Sequence, residues 1–406
     1  AFCSNAADVA RAVNFARKLD ILVAVRSGGH NVAGRALCDD GIVIDLSRMN
    51  DVTVDAESRT VRVQAGALLG DIDRKTHLHG LAVPTGVVSK TGIAGLTLGG
   101  GVGWLVRKYG LTIDNLLSCD VVTAKGELLL ASDKTNANLF WGLRGGGGNF
   151  GIVTSFLFRA HPVSTVLGGM ILYPREQASA VLRHYRGFMS TAPEELTAYA
   201  ALISTPDGMP VAGVIVCYCG ELVEGEQIIA PLRQFGAPLL DAIGPMPFPA
   251  LQSMLDGAFP DGMFNYWKST FLTKLSDEAI DLIVDHGNRA RSPLSGVTLE
   301  FYGGAPARVD HAHTAFGQRN TAYNVGITAQ WKIAAEGDEH VIWARSFSDA
   351  LVPYSSGSNL LNFQSDNNTS AICAAFGSNY PRLVELKTQY DPGNFFSLNQ
   401  NIEPHH

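Results

Sequence analysis

The first part of the chain, residues 1–162, alternates between short apolar runs and stretches in which apolar residues recur every three or four positions. The second pattern extends from Ala6 to Lys18 with its apolar residues on one face, which predicts an amphipathic helix. Other patterns predict strands at 21–25, 41–46, 60–64 and 152–158, a hairpin of 119–124 with 127–131, and helices at 67–79 and 138–142.

The middle of the chain changes to longer apolar–polar alternation, which favours an antiparallel sheet. The predicted strands are Leu196–Ile203, Val211–Tyr218, Asn265–Phe271, Gly296–Tyr302 and Tyr323–Trp331. Helical patterns at 276–287 and 338–351 predict helices that cover this sheet. The fold class is therefore α+β, with one domain at 1–162, a second at 163–360 and a segment at 361–406 that returns to the first.

Composition narrows the function classes. The chain has 406 residues, 46% of them hydrophobic, and a net charge of −7, which argues against nucleic acid or an anionic membrane as a partner. No apolar run approaches the roughly 18 residues that a membrane span needs. The six cysteines have no metal-like spacing, so we expect a reduced, cytoplasmic protein without a metal site.

Three glycine-rich segments carry the candidate chemistry. The first is Val25-Arg26-Ser27-Gly28-Gly29-His30-Asn31, the second extends from Gly92 to Trp104, and the third from Arg144 to Gly151. Glycine turns bring successive backbone N–H groups close to an anion such as a phosphate. No strand enters the run at 99–103, which argues against a Rossmann dinucleotide fold.

Together these segments resemble the FAD-linked oxidases of the vanillyl-alcohol oxidase superfamily, in particular the berberine-bridge-enzyme-like group and its bacterial members similar to 6-hydroxynicotine oxidase. The resemblance covers about 9–162 and returns at 390–402. It implies a PCMH-type FAD-binding domain made of two subdomains, with a substrate domain whose large antiparallel sheet is covered by helices.

The resemblance also implies how FAD is held. In this family the histidine of the first segment bonds covalently to the 8α-methyl of the flavin, and His30 occupies that position; the alternative is a histidine that only hydrogen-bonds a phosphate. We expect the other cofactor contacts from Arg26, Ser27, Gly28, Gly29, Asn31, Gly34, Gly86, Val88, Gly92, Gly95, Leu98, Gly99, Gly100, Gly101, Gly103, Gly151, Val153, Asn399 and Asn401.

Two positions set this chain apart from other members. Val88 stands where bicovalent relatives carry a second flavin-linked cysteine, which predicts a single covalent link. Thr91 stands where the family controls oxygen access to the flavin and most oxidases have valine. Threonine there either substitutes sterically for valine or supports flavin oxygenation.

The catalytic base is not apparent from the sequence. In plant relatives a lysine and a carboxylate or amide precede a tryptophan on one strand, and here Asn324 and Gly326 hold those positions, so that mechanism does not carry over intact. Alternation puts Glu300 and Tyr302 on one face, and Tyr266 and Lys268 on another strand's face. Each is a candidate catalytic residue or a structural one, and an amine that enters deprotonated needs no base.

These observations predict an FAD-dependent oxidase that removes hydride from a C–H next to oxygen or nitrogen and is reoxidised by O2 to give H2O2. The expected substrate is a medium-sized aromatic, alkaloid or secondary-metabolite molecule, and the expected state is a monomer or homodimer. The alternatives are a flavin monooxygenase, a flavoprotein that sequesters a small molecule, and a noncovalent dehydrogenase with another acceptor.

Overall fold

A computed structural model describes residues 1–319, 322–366 and 368–405. The strands are β1 Leu22–Arg26, β2 Gly41–Asp45, β3 Val52–Asp55, β4 Thr60–Gln64, β5 Leu81–Ala82, β6 Leu116–Val122, β7 Leu128–Ser132, β8 Ile152–Arg159, β9 His161–Pro162, β10 Thr165–Pro174, β11 Leu196–Ser204, β12 Pro210–Tyr218, β13 Leu240–Asp241, β14 Gly244–Pro247, β15 Phe264–Leu272, β16 Gly296–Phe301 and β17 Tyr323–Trp331.

The helices are α1 Ala6–Leu19, α2 Leu69–His77, α3 Ile93–Leu98, α4 Val106–Tyr109, α5 Ala137–Leu143, α6 Ala178–Met189, α7 Leu222–Arg233, α8 Phe248–Gln252, α9 Asp277–Gly287, α10 Ala305–Arg308, α11 Gly337–Ala350, α12 Thr369–Phe376 and α13 Tyr380–Tyr390. None of the helices in these ranges is both long and apolar enough to cross a bilayer.

The first part of the chain forms a five-stranded sheet and two sheets of two strands each, one of which pairs β5 with β9. Strands β1 and β2 pair in parallel, and a five-stranded antiparallel sheet has the order β3-β4-β8-β6-β7. Helix α1 begins where the Asn5 side chain accepts the Asp8 N–H at 3.0 Å, and it buries Val9, Val13 and Ala16. The helix predicted from Ala6 is confirmed, one residue longer than expected.

The second part is an eight-stranded antiparallel sheet in the order β13-β10-β12-β11-β16-β17-β15, with β14 also on β10. Helices α6, α9 and α11 cover one face, where Val181, Ile280 and Phe347 are buried in a common core. The other face packs against the first part, where Tyr199 stacks on Trp104 with ring centroids 5.0 Å apart. The α+β class and the large helix-covered antiparallel sheet are confirmed.

A crossing segment, residues 310–319, joins the two parts behind the glycine-rich segments. The buried Arg319 guanidinium donates to both carboxylate oxygens of Asp114 at 2.8 Å. The Phe316 ring fills the space that a Cβ at Gly100 would occupy, and the Phe316 backbone and Cβ fill the space that a Cβ at Gly145 would occupy. The crossing segment therefore fixes the second and third glycine-rich segments relative to one another.

A strap, residues 355–365, runs along the edge of β15. The Ser356 N–H donates to the Phe271 carbonyl at 2.8 Å, and the Ser365 N–H to the Trp267 carbonyl at 3.0 Å. These bonds satisfy backbone groups that an edge strand otherwise leaves to solvent. The strap then leads the chain back to the first part, where α13 packs on α5.

Helix α2 contains a buried carboxyl, Asp73, with no hydrogen-bond partner among the described residues. Burial raises the pKa of Asp73 well above its ordinary value. The unfolded chain releases this proton near pH 4 while the folded chain retains it, so stability falls as pH rises from there toward the folded pKa. We expect Asp73→Asn to be more stable than the wild type by about 1–2 kcal/mol at pH 7.

Thermal and denaturant unfolding at pH 7 and pH 4 test this expectation. The advantage of Asp73→Asn should shrink at pH 4, where the carboxyl is protonated in both states. Asp39→Asn, at an exposed acid outside α2, is the control for a general change in charge. An Asp73→Asn variant that is less stable than the wild type at pH 7 would contradict the assignment.

Candidate active site

The first glycine-rich segment follows β1 and lines a central cavity. The Ser27 hydroxyl donates to the Ala65 carbonyl at 2.6 Å, which holds the start of the turn. Gly28 packs directly on the backbone of Gly92, so the first and second segments meet. His30 follows at the mouth of the cavity with its imidazole exposed.

Near His30, residues of the second part contact the first part. Asp256 accepts the Ser89 N–H at 2.8 Å and the Ser89 hydroxyl at 2.5 Å. Lys90 lies 3.8 Å from Asp261. Partial desolvation lowers the pKa of the His30 imidazole below its ordinary value, although Asp261 and Asp256 oppose this shift. The lowered pKa favours the uncharged form of the ring.

The third glycine-rich segment and the C-terminal residues form the opposite wall. Asn149 donates to the carbonyls of Gly146 at 2.9 Å and Gln400 at 3.1 Å, and its own oxygen accepts the Ile402 N–H at 3.0 Å. Gly146 and Gln400 both line the cavity. One buried amide thus fixes two chain segments that are far apart in sequence.

A buried ion pair supports this wall. The Lys387 ammonium lies 2.6 Å from Asp391 and donates to the carbonyls of Asn149 at 3.1 Å and Phe396 at 3.0 Å. Asp391 also accepts the Phe396 N–H at 2.9 Å. Neither charged side chain has more than 1% of its surface exposed. The pair therefore fixes Phe396, which lines the cavity.

We expect Lys387→Met to destabilise the protein by about 3–5 kcal/mol, because it leaves the Asp391 carboxylate buried without its cation. Thermal and denaturant unfolding measure the effect. The double variant Lys387→Met/Asp391→Asn removes both charges and should recover part of the loss. Equal stability of Lys387→Met and the wild type would show that the pair does not support this wall.

The structure brings most of the predicted cofactor residues to this one cavity. Those that line it are Ser27, Gly28, Gly29, His30, Asn31, Gly86, Val88, Gly92, Gly95, Leu98, Gly99, Gly151, Val153 and Asn399. Thr91, predicted near the flavin, also lines it. Val88 and Thr91 therefore share a cavity with His30, as the resemblance implies.

Six predicted cofactor residues lie outside the cavity wall, namely Arg26, Gly34, Gly100, Gly101, Gly103 and Asn401. Arg26 faces Asp45 at 3.4 Å, and Gly34 lies in a turn with a φ of 73°. Three of the glycines are needed for packing. A Cβ at Gly100 would overlap Phe316, one at Gly101 would overlap Thr112, and one at Gly103 would overlap the Thr85–Gly86 backbone. None of the six lines the cavity, and their contact with the cofactor stays a prediction.

The predicted catalytic residues on β16 and β17 come together but do not line the cavity. Glu300 accepts hydrogen bonds from the Tyr302 hydroxyl and from the Asn324 amide at 3.0 Å, and the Ser269 hydroxyl donates to Asn324 at 2.6 Å. Burial raises the pKa of Glu300, against these two hydrogen bonds. The three candidates form a closed buried network, which fits a structural role.

Tyr266 and Lys268 do share a face, but it is the helix-covered face of the sheet. Tyr266 belongs to the core under α11, and both side chains bind Asp366, at 2.5 Å and 2.6 Å. Their neighbour Trp267 points the other way and lines the cavity. Neither side chain lines the cavity, and their action on the substrate stays a prediction.

Several lining residues were missed from the sequence. Phe259, Trp267 and Phe363 form a row of rings, with centroids 5.4 Å apart for the first pair and 5.5 Å for the second. Alternation along β15 does place Trp267 opposite Tyr266, but the other two lie in loops without a periodic signal. Arg35 also lines the cavity, five residues after His30.

The ionisable content of the wall is small. Among its described residues, His30 and Arg35 are the ones with ionisable side chains; the rest are apolar, glycine, hydroxyl or amide residues. No lining residue in that set is an aspartate, glutamate, lysine, tyrosine or cysteine. Within that set, the wall offers no carboxylate, phenol, thiol or ammonium group for proton transfer.

The wall fits an FAD molecule. A Cβ at Gly95 or Gly148 would meet no protein atom within 4 Å, so these backbones face open space that a ligand can fill. Backbone N–H groups of the glycine-rich segments suit a diphosphate, and the apolar wall suits a flat ring. The residues that would hold FAD are those of the three segments and the C-terminal wall.

Comparison with known proteins agrees with this geometry. Residues 1–132 match the family model described as FAD binding domain, and residues 361–403 match the model described as Berberine and berberine like. The chain is 33% identical to (R)-6-hydroxynicotine oxidase of Paenarthrobacter nicotinovorans over 99% of its own length and 90% of that protein. It belongs to the berberine-bridge-enzyme-like family.

Other members of the berberine-bridge-enzyme-like family cover the chain equally well. An FAD-linked oxidoreductase of Dictyostelium discoideum is 35% identical over 98% of this chain and 87% of its own length. The crystal structure of 6-hydroxy-D-nicotine oxidase from Arthrobacter nicotinovorans superposes with a TM-score of 0.90 at 31% identity, covering 100% of this chain and 92% of that one. The chain is thus an FAD-linked oxidoreductase.

Proposed function

We propose that this protein is an oxidase that holds FAD through a single covalent bond from His30. In this proposal, residues 1–162 and 361–406 hold the cofactor and residues 163–360 supply the substrate side. The observation that carries the proposal is the position of His30: its imidazole lies in the wall of a glycine-lined cavity, with Val88 rather than a cysteine in the same wall.

The chain's residues would divide the work as follows. When bound, FAD accepts a hydride from the substrate and passes electrons to O2, giving H2O2. The glycine-rich segments orient the cofactor, and the apolar walls exclude water from it. The rings of Phe259, Trp267 and Phe363 offer a stacking surface of the kind that flat or alicyclic substrates contact. A medium-sized aromatic or alkaloid substrate fits this surface.

The composition of the wall bears on the proton that leaves the substrate. Because no carboxylate, phenol or lysine is among the described lining residues, the substrate is proposed to enter without its proton, as a neutral amine does. The relative named (R)-6-hydroxynicotine oxidase acts, by its name, on a hydroxynicotine. That compound is the first probe for this cavity.

The reaction with oxygen tests the proposal without a known substrate. The bound flavin is photoreduced under nitrogen and mixed with air-saturated buffer. We expect reoxidation within seconds and about one H2O2 per flavin. Reoxidation over many minutes, with fast reaction with an artificial electron acceptor, would contradict an oxidase and favour a dehydrogenase.

A second candidate function rests on Thr91, whose hydroxyl-bearing side chain lines the cavity. A flavin oxygenase is the alternative that this residue favours over the valine of most oxidases. Substrate turnover under ¹⁸O2 separates the two: an oxidase leaves the label in H2O2, and an oxygenase transfers it to the product. Thr91→Val should leave H2O2 production unchanged if threonine acts only through its size.

A further inference from the structure

Arg35 is a charged residue of the cavity wall to which neither the sequence motifs nor the catalytic argument gives a role. The turn after His30 holds it in place, because the Asn31 side chain accepts the N–H of Ala33 at 3.0 Å and of Arg35 at 3.1 Å. Its guanidinium donates to the backbone carbonyl of Asn399, on the opposite wall. Arg35 therefore spans the cavity between the first segment and the C-terminal wall.

The charge of Arg35 has no acidic partner among the described residues. Buried arginines elsewhere in the described residues are better satisfied: Arg319 is bidentate on Asp114, and Arg107, which also lacks an acidic partner, donates to three backbone carbonyls. Burial lowers the pKa of the Arg35 guanidinium, and no acidic group opposes this shift. A half-buried cation held by a single carbonyl lacks a counter-charge, which an anionic ligand would provide.

We propose that Arg35 binds a negatively charged group of FAD in this cavity. The inference rests on the proposed function, in that it requires FAD in the cavity. Two groups of FAD share this chemistry: the diphosphate, which an arginine recognises with paired N–H donors, and the flavin ring, which gains negative charge on reduction. If Arg35 binds the diphosphate, it holds the cofactor in place. If it binds the flavin ring, it raises the reduction potential of the flavin.

Three variants separate charge from structure. Arg35→Gln removes the charge but keeps an N–H donor for the Asn399 carbonyl. Arg35→Lys keeps the charge but loses the paired donors. Arg17→Met, at an exposed arginine of α1 that bonds Asn14, removes one charge remote from the cavity. For each purified protein the FAD-to-protein ratio and the two-electron midpoint potential are measured, with circular dichroism as a check of folding.

We expect Arg35→Gln to change one of the two quantities and Arg17→Met neither. A lower FAD ratio identifies the diphosphate as the bound group. An unchanged ratio with a roughly tenfold shift of the reduction equilibrium, which is about 30 mV for two electrons, identifies the ring. If the bound group is the ring, Arg35→Lys should have a midpoint potential close to that of the wild type. If it is the diphosphate, Arg35→Lys should bind less FAD.

Unchanged ratio and potential in Arg35→Gln would overturn the inference and leave Arg35 as a structural bond to Asn399. If both variants retain full FAD content and their midpoint potentials change equally, the charge of Arg35 has no role. A wild-type protein that binds no flavin would instead refute the proposed function itself. If Arg35→Gln does not fold, the potential of folded Arg35→Lys decides, because retention of the wild-type value supports a charge effect and its loss contradicts it.

Discussion

His30→Ala is expected to abolish covalent attachment of FAD completely, so that acid releases all flavin from the variant and none from the wild type. The reason is that His30 has the one imidazole among the described residues of the cavity wall. Its lowered pKa favours the uncharged form. Bond formation needs the free lone pair of a neutral imidazole. Visible absorbance of acid-precipitated protein measures the loss.

The control is His79→Ala, which removes an exposed histidine at the end of the loop after α2. Because the pKa of His30 lies below its ordinary value of about 6.5, flavin incorporation into the wild type should also persist at pH 6.5, where a free imidazole is half protonated. Acid-stable flavin in His30→Ala would mean that a different residue forms the bond.

Gly92→Ala is expected to destabilise the protein by about 3 kcal/mol and to prevent FAD binding, because backbone atoms leave no room for a methyl group. A Cβ there would lie 2.5 Å from the Ser27 hydroxyl oxygen and 2.7 Å from Gly28 Cα, and closer still to the Gly28 nitrogen. The first and second segments would have to separate at the point where both line the cavity. Thermal unfolding and the FAD-to-protein ratio measure the two effects.

Two glycine variants serve as controls for Gly92→Ala. Gly187→Ala, at an exposed position of α6 with open space around it, should be neutral or slightly stabilising. Gly95→Ala meets no protein atom within 4 Å but extends into the cavity, so it should fold normally and bind less FAD. Full FAD content in Gly92→Ala would contradict the contact between the two segments.

Many helices and strands were predictable because the local pattern of apolar and polar residues indicates them. The strand Tyr323–Trp331 has the predicted bounds, since its alternation is uninterrupted. The strand Thr165–Pro174 was missed, because Gly168-Gly169 interrupts it; Gly169, with a φ of 137°, lies against the Ala242 backbone. Helices α6, α7 and α13 were also missed; Pro231 lies inside α7, and Pro381 stands in the first turn of α13.

The parts of the candidate site that glycine-rich turns form were predictable from the sequence. The side chains whose position depends on tertiary packing were not. The three glycine-rich segments meet in one cavity, as the motif implied. Alternation correctly paired Tyr266 with Lys268, but both faces of this sheet are buried, so the pattern carried no information about which face meets the cavity. Arg35 and Phe259 lie in loops, where position depends on contacts that no sequence period shows.

A single covalent bond between His30 and FAD is detected directly by the mass of the tryptic peptide that contains His30. Trypsin cleaves after Arg26 and Arg35, so the peptide of residues 27–35 contains His30 and no other histidine. We expect this peptide from acid-denatured protein to carry a flavin on His30, and no other peptide to carry one. An unmodified 27–35 peptide, with all flavin in the acid supernatant, would contradict this expectation.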